Sequence, residues 1–162
     1  MIVTRATASD AAEILALQKL AYLSEAEIYG DYAIPPLTQT LEEIAAEFAR
    51  RTVLKAVADG RIIGSVQGLR IGPTCFGGRL MVHPDFQGRG IGRRLMEEME
   101  GGFPDAERFE LFTGHRSLRN IGLYERLGYR IFRTEPASPL VTLVFMEKRI
   151  RSDFMDVEGV EP

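Results

Sequence analysis

The segment most informative about the fold runs from Val82 to Met96 and reads VHPDFQGRGIGRRLM. Gly90 and Gly92 follow an apolar strand end and open an amphipathic helix that contains Leu95. Glycines let backbone N–H groups approach a phosphate closely, and the positive end of the helix dipole lies at the same place. The pattern therefore predicts an anion-binding loop, although a tight strand–turn–helix joint with no ligand would use the same glycines.

Two other phosphate-binding motifs do not fit this segment. A dinucleotide-binding fingerprint needs an early strand–helix–strand unit, whereas hairpins connect the strands predicted before Val82. A P-loop needs Gly-Lys followed by Ser or Thr, but Gly92 is followed by Arg93 and Arg94. These arginines and Arg89 instead add positive charge where a pyrophosphate would lie.

Residue periodicity predicts one α+β domain over residues 1–150 and a polar C-terminal tail over 151–162. Helices are expected after a Thr7–Asp10 capping box and over about 40–51, 90–100 and 117–127. Strands are expected over about 1–6, 52–58, 62–71, 78–82, 108–113, from 129 and over 140–147. The stretch 24–38 is expected to be irregular because Pro35-Pro36 stops a helix and holds an extended backbone.

A second motif runs from Asn120 to Tyr129 and reads NIGLYERLGY. Asn120 and Tyr124 are four residues apart, so they share one face of the predicted helix. Periodicity alone favours Tyr124 as an aromatic side chain packed against the sheet. Tyr129 is expected in the core at the start of its strand.

These two motifs follow, in order, an early segment from Arg5 to Asp10 and an Asp59-Gly60 hairpin. In these four features the sequence resembles the GNAT superfamily of acyl-CoA N-acetyltransferases, and the resemblance covers residues 1–147. The resemblance implies a mixed, mainly antiparallel sheet of about seven strands with helices on both faces. It also implies a splay between the fourth and fifth strands, in which acetyl-CoA lies as the co-substrate. No metal is implied.

The resemblance assigns roles to individual residues. Backbone groups of Leu80, Met81 and Val82 would pair with the pantetheine arm. The loop and helix start would hold the pyrophosphate through Gln87, Gly88, Arg89, Gly90, Ile91, Gly92 and Arg93. Asn120 would bind the cofactor arm or order a water. Tyr124 would protonate the leaving thiolate, since the pKa of a phenol, about 10, is close to that expected for an alkyl thiol.

The sequence leaves the general base open. Many family members carry a glutamate on the fourth strand, but residues 75–79 read CFGGR and contain no acid. Glu25, near the end of the first helix, is the first candidate and Asp31 the second, each acting through water. The alternative is that no residue serves as base.

The stretch 22–37 is expected to form part of the acceptor wall. It combines three acids with three tyrosines, a composition that suits a cationic amine through charge and cation–π attraction. The alternative is a solvated connector. The residues concerned are Tyr22, Glu25, Glu27, Tyr29, Asp31 and Tyr32.

The remaining reactive side chains point to simpler roles. His83 is expected to be a turn residue at a strand end, and His115 a loop or helix-cap residue. Cys75 has no histidine at the spacing of a nucleophile pair, so covalent catalysis through this thiol is disfavoured. The two histidines lack the further ligands that a metal site needs.

Composition is typical of a soluble globular protein, and the single cysteine favours a reducing compartment. The net charge of -3 argues against general nucleic-acid binding, and the single cysteine excludes an internal disulfide framework. With no apolar run of membrane-spanning length, a cytoplasmic location without membrane contact is expected. A homodimer is left open.

The predicted activity is transfer of an acetyl group to a primary amine by direct attack in a ternary complex, and a small-molecule acceptor is favoured. One alternative is an acetyltransferase for protein N-termini or lysines. Another is a non-catalytic module that binds acyl-CoA.

Overall fold

The computed structural model describes residues 1–150. The predicted tail, 151–162, lies outside these residues. The seven strands are β1 (Ile2–Arg5), β2 (Thr52–Ala58), β3 (Arg61–Ile71), β4 (Thr74–Val82), β5 (Arg108–Gly114), β6 (Arg130–Pro136) and β7 (Thr142–Arg149). They form one sheet in the order β1-β2-β3-β4-β5-β7-β6.

The sheet is mixed and mainly antiparallel. Every neighbouring pair is antiparallel except β4 and β5, which run parallel. Asp59 and Gly60 both have positive φ, 50° and 74°, as the predicted two-residue hairpin requires. The α+β class and the seven-stranded sheet predicted from the sequence are therefore confirmed.

Six α-helices accompany the sheet in the described chain. They are α1 (Ala11–Ala21), α2 (Leu23–Tyr29), α3 (Pro35–Thr38), α4 (Leu41–Glu47), α5 (Ile91–Gly101) and α6 (Leu118–Arg126). Both predicted capping boxes form. The backbone N–H of Thr7 donates to the Asp10 carboxylate over 2.9 Å, and Thr40 exchanges hydrogen bonds with Glu43.

The expectation of an irregular stretch over 24–38 was wrong. Helix α2 follows α1 almost without a break and ends at Gly30, whose φ of 61° suits a glycine C-cap. Pro35 and Pro36 open α3 instead of blocking it, because the first helical positions need no N–H partner and accept the φ of proline.

Apolar side chains cover both faces of the sheet. On one face α5 and α6 pack over a cluster that includes Leu95, Met99 and Phe109. On the other, α1 and α4 bury Ile14 and Ile44 against the first strands. Leu20, near the end of α1, is 41% exposed. In residues 1–150 no helix is long and apolar enough to cross a membrane.

Candidate active site

The site begins where two parallel strands separate. Strands β4 and β5 pair only from Thr74 to Phe76 opposite Arg108 to Glu110, although β4 continues to Val82 and β5 to Gly114. Just beyond the last pair, β4 bulges against β3, and Arg79 adopts a left-handed φ of 48°. A bulge bends its strand, so β4 turns away and leaves one edge without a partner strand.

A cleft of about 550 Å³ occupies this gap. Its walls come from β4, the glycine loop, α5, α2 and α6. Among the residues predicted from the sequence, the lining includes Glu25, Leu80, Met81, Val82, Gln87, Gly88, Gly90, Ile91, Gly92, Arg93 and Asn120. The structure therefore brings most of the predicted cofactor-binding residues together with the first-choice base.

The glycine loop has the geometry that an anion needs. Gly88 and Gly90 have φ values of 76° and 78°, and a Cβ atom on either would meet nothing within 4 Å, so the space above the loop is open. Helix α5 begins at Ile91, and its first N–H groups lack intrahelical acceptors. These donors and the positive helix end fit a pyrophosphate.

The polar side chains around the loop make different contacts, and not all of them face the cleft. The Gln87 Oε1 atom accepts a hydrogen bond of 2.7 Å from Arg119 on α6, which ties the loop to the opposite wall. Arg89 does not line the cleft; its guanidinium lies 5.0 Å from the centre of the Phe86 ring. Arg93 lines the cleft, but its Nε atom donates to Glu97 over 2.8 Å.

Tyr124 lies in the core beside the cleft. It is 6% exposed, and its ring lies 6.0 Å from that of Tyr129. Burial, reinforced by nearby Tyr22 and Glu25, raises the pKa of the Tyr124 phenol well above its usual value. The expected match with an alkyl thiol is therefore lost in this structure, and the phenol remains a neutral hydrogen-bond donor at ordinary pH.

The carboxylate of Glu25 reaches across the cleft from α2 to α6. One of its oxygens accepts from the Ser117 hydroxyl, and the other accepts from Asn120 Nδ2 over 3.4 Å. No cation of residues 1–150 lies within ion-pair distance of this carboxylate. Its negative charge is thus held in place but not neutralised.

Asp31 is not brought to the cleft. It follows the C-cap of α2, and its carboxylate accepts the backbone N–H of Ala33 over 2.9 Å, as in an Asx turn. Tyr32 is 61% exposed, and Glu27 is also exposed. Of the acidic and aromatic stretch 22–37, Tyr22 and Glu25 line the cleft.

Sequence reasoning missed one residue of this site and the main contact of another. Tyr22, expected in the acceptor wall, lines the cleft, but its hydroxyl also donates to the Leu80 carbonyl over 3.1 Å, at the part of β4 expected to pair with pantetheine. Burial raises the pKa of Tyr22 to about 12, and Glu25 adds to the effect while Arg79 opposes it. Arg119 was missed because no spacing rule links α6 to Gln87, 32 positions away.

The other reactive side chains have structural contacts. His83 Nδ1 accepts the backbone N–H of Asp85, as expected of a turn residue. His115 Nδ1 lies 3.1 Å from the backbone N–H of Thr142. Cys75 is buried, and burial raises the pKa of its thiol to about 11, which keeps it protonated. Residues 1–150 contain no group of three metal-ligating side chains.

A family comparison agrees with this geometry. A family model described as an acetyltransferase (GNAT) domain matches residues 49–131, just over half of the chain and most of the cleft-forming strands and helices. The chain belongs to the GNAT acetyltransferase family. The predicted splay between the fourth and fifth strands is the same gap in which this GNAT domain forms its cleft.

Two solved structures share the fold at low sequence identity. The PaiA N-acetyltransferase of Thermoplasma acidophilum, in complex with coenzyme A, has a TM-score of 0.76 and 17% identity, covering 93% of this chain and 100% of that chain. The ribosomal-protein-alanine N-acetyltransferase of Brucella melitensis has a TM-score of 0.73 and 20% identity, with coverage of 93% and 100%.

A curated relative has higher identity. The UPF0157 protein YqkA of Bacillus subtilis (strain 168) is 33% identical over 134 residues, which make up 81% of this chain. The match spans only 38% of that relative's own length.

Proposed function

We propose that this GNAT domain transfers an acetyl group from acetyl-CoA to a primary amine, with a small-molecule amine as the favoured acceptor. The observation that carries the proposal is the Glu25 carboxylate, which lacks an ion-pair partner in the described chain and lines the same cleft as the anion-binding loop. A phosphate-bearing donor suits the loop, and an ammonium group suits the carboxylate.

The proposed reaction is a direct attack. Glu25 takes a proton from the ammonium form of the acceptor, directly or through water, and the neutral nitrogen attacks the thioester carbonyl carbon. A backbone N–H of β4 near Met81 or Val82 polarises the carbonyl oxygen. The C–N bond forms and the C–S bond breaks; the second proton that the attacking nitrogen loses is matched by the proton that the thiolate accepts to give free CoA, and Glu25 returns the first proton to solvent.

Two tyrosines are candidates to assist the departing thiolate. Tyr124 is the residue that the family resemblance favours, and its raised pKa suits hydrogen-bond donation better than full proton transfer. Tyr22 has its hydroxyl at the cleft wall, bonded to the Leu80 carbonyl. Both phenols are uncharged at neutral pH, so either has a proton to donate.

The test is an acetylation assay with four amines. Purified protein is incubated with acetyl-CoA and putrescine, phenethylamine, lysine or a short peptide with an N-terminal alanine, and free CoA thiol is measured. Thiol release with a small amine supports the proposal. Acetylation of the peptide alone would favour the protein-acetyltransferase alternative, and tight acetyl-CoA binding without any release would favour a non-catalytic module.

Glu25→Gln and Asp31→Asn form a matched pair for the base. Glu25→Gln should raise the KM for the amine or lower kcat, because it removes the charge from the cleft and leaves the side-chain shape. Asp31→Asn should behave as the parent does, since Asp31 does not line the cleft. Equal losses in both variants, or none in either, would remove Glu25 from the mechanism.

A further inference from the structure

A chain of hydrogen bonds connects the turn after β5 to the carboxylate in the cleft. The backbone N–H of Arg116 donates to the Tyr29 hydroxyl over 2.9 Å, and this hydroxyl lies 2.7 Å from the Ser117 hydroxyl. The Ser117 hydroxyl donates in turn to Glu25. Tyr29 is 6% exposed and Ser117 is 1% exposed, so water does not compete easily for these bonds.

Hydrogen-bonding chemistry fixes the direction of this chain. The backbone N–H at one end can only donate, and the ionised carboxylate at the other end can only accept. Tyr29 must therefore donate to Ser117, and Ser117 must donate to Glu25. The Ser117 proton is committed to one carboxylate oxygen, and that oxygen retains a further lone pair.

We infer that Tyr29 and Ser117 are positioning residues, which hold the Glu25 carboxylate at the cleft wall in one orientation for the acceptor amine. This inference rests on the proposed function, in which Glu25 binds the ammonium group and takes its proton. A glutamate on a seven-residue surface helix would otherwise rotate among several rotamers and turn into solvent. With both oxygens bonded, to Ser117 and Asn120, the side chain has one preferred arrangement.

The negative charge of the Glu25 carboxylate, which ends this series of hydrogen bonds, argues for a role beyond folding. Of the other buried or half-buried carboxylates of the described chain, Glu147 pairs with Arg108 and Glu100 pairs with Lys148, whereas Glu47 accepts from the neutral amides of Gln39 and Gln67. Glu25 also receives two neutral donors and has no ion pair in residues 1–150, but unlike Glu47 it lines the cleft. Neutral donors orient the carboxylate and leave its charge available to an incoming cation.

The backbone is shaped to admit this arrangement. A Cβ atom at Gly114 would lie 1.9 Å from the Tyr29 hydroxyl oxygen, so the series of hydrogen bonds through Tyr29 requires glycine at the end of β5. Tyr22, one residue before α2, bonds to β4 on the other side of the splay. The segment from Tyr22 to Tyr29 thus bridges both arms of the splay and carries Glu25 between them.

The test measures kcat and KM for the amine that the parent acetylates best among putrescine, phenethylamine, lysine and the alanine peptide. Ser117→Ala should lower kcat/KM by about tenfold or more, since misplaced reacting groups commonly cost that much. The affinity for acetyl-CoA should not change. Ser117→Thr keeps the hydroxyl and should recover most of the loss.

A double variant separates positioning from simple structural damage. If Ser117 acts through Glu25, Ser117→Ala should add no further loss in a Glu25→Gln background. Ser65→Ala is the matched control, because the Ser65 hydroxyl is equally buried but donates to the Leu54 carbonyl. It should leave kcat and KM at the parent values.

Three results would overturn the inference. The first is parent-like kinetics in Ser117→Ala, and the second is a loss in the double variant as large as the two single losses combined. In both cases the parent remains active, so the proposed function survives. The third is a parent that binds acetyl-CoA but acetylates none of the four amines; the proposed function then fails, and the positioning role fails with it.

Discussion

Gly114→Ala is expected to be among the most destabilising single-methyl additions in this protein. The added Cβ would lie 1.9 Å from the Tyr29 hydroxyl oxygen, 2.5 Å from Cζ and 3.0 Å from Cε2. No real Cβ contact is that short, so the ring must leave its site. The bonds to Ser117 and to the backbone of Arg116 are lost with it.

The magnitude follows from what the displaced ring leaves behind. Exposing a buried tyrosine ring costs about 2 kcal/mol, and each buried partner left without its hydrogen bond adds about 1 kcal/mol or more. The free energy of unfolding should therefore fall by about 3–5 kcal/mol. Since small domains are stable by about 5–15 kcal/mol, a loss of this size is readily measured.

Urea unfolding followed by circular dichroism is the assay, with the m-value checked for constancy. Gly101→Ala is the control because a Cβ atom there meets nothing within 4 Å; it should be neutral or gain up to about 1 kcal/mol in helix α5. Tyr29→Ala should largely abolish the cost of Gly114→Ala. A cost below about 1 kcal/mol for Gly114→Ala in the parent would refute the close packing of α2 against β5.

Three further predictions concern the cleft. Gly90→Val should lower acetyl-CoA affinity at least about tenfold in calorimetric titration. The reason is that a β-branched residue disfavours the φ of 78° and its side chain fills the open space above the loop. Undiminished affinity would contradict the phosphate-loop assignment. Tyr124→Phe or Tyr22→Phe should lower kcat by about 10²-fold while acetyl-CoA affinity is kept, and the larger loss identifies the donor to the thiolate. The free energy of unfolding should fall as pH rises from about 10 to about 12. The unfolded chain releases the Tyr22 proton near pH 10, whereas the folded chain retains it because the pKa of Tyr22 is raised to about 12. Tyr22→Phe should reduce this fall when unfolding is measured as a function of pH.

The site could be predicted from the sequence only where its parts are close along the chain. The loop from Gln87 to Gly92 and the start of α5 are continuous in the chain, so residue type and spacing were enough to predict the open glycine loop and the helix that follows it. The predicted pairing of Asn120 and Tyr124 on one helix face followed from helical geometry in the same way. The strand order beyond the first meander came from family resemblance, because periodicity does not specify which strands are neighbours.

The acceptor side of the cleft could not be predicted in this way, because it is formed by packing between segments that are distant in the sequence. The sequence predicts an irregular stretch over 24–38 because paired prolines usually stop a helix. In the structure Pro35 and Pro36 begin α3, and α2, the helix that carries Glu25, precedes them. The sequence ranked Glu25 ahead of Asp31 but excluded neither, whereas in the structure α2 ends at Gly30 and only Glu25 lines the cleft.

The amino-acid sequence was sufficient to predict the class of fold and the glycine loop that opens α5, since both depend on local backbone preferences and on patterns repeated over a few residues. Which carboxylate reaches the cleft, and which side chains hold it there, depends on contacts that form only in the folded protein. Ser117 and Glu25 are 92 positions apart, and Tyr29 and Ser117 are 88 apart. Contacts at such separations exist only after the sheet has splayed and α2 has packed across the gap, so no spacing rule along the chain predicts them.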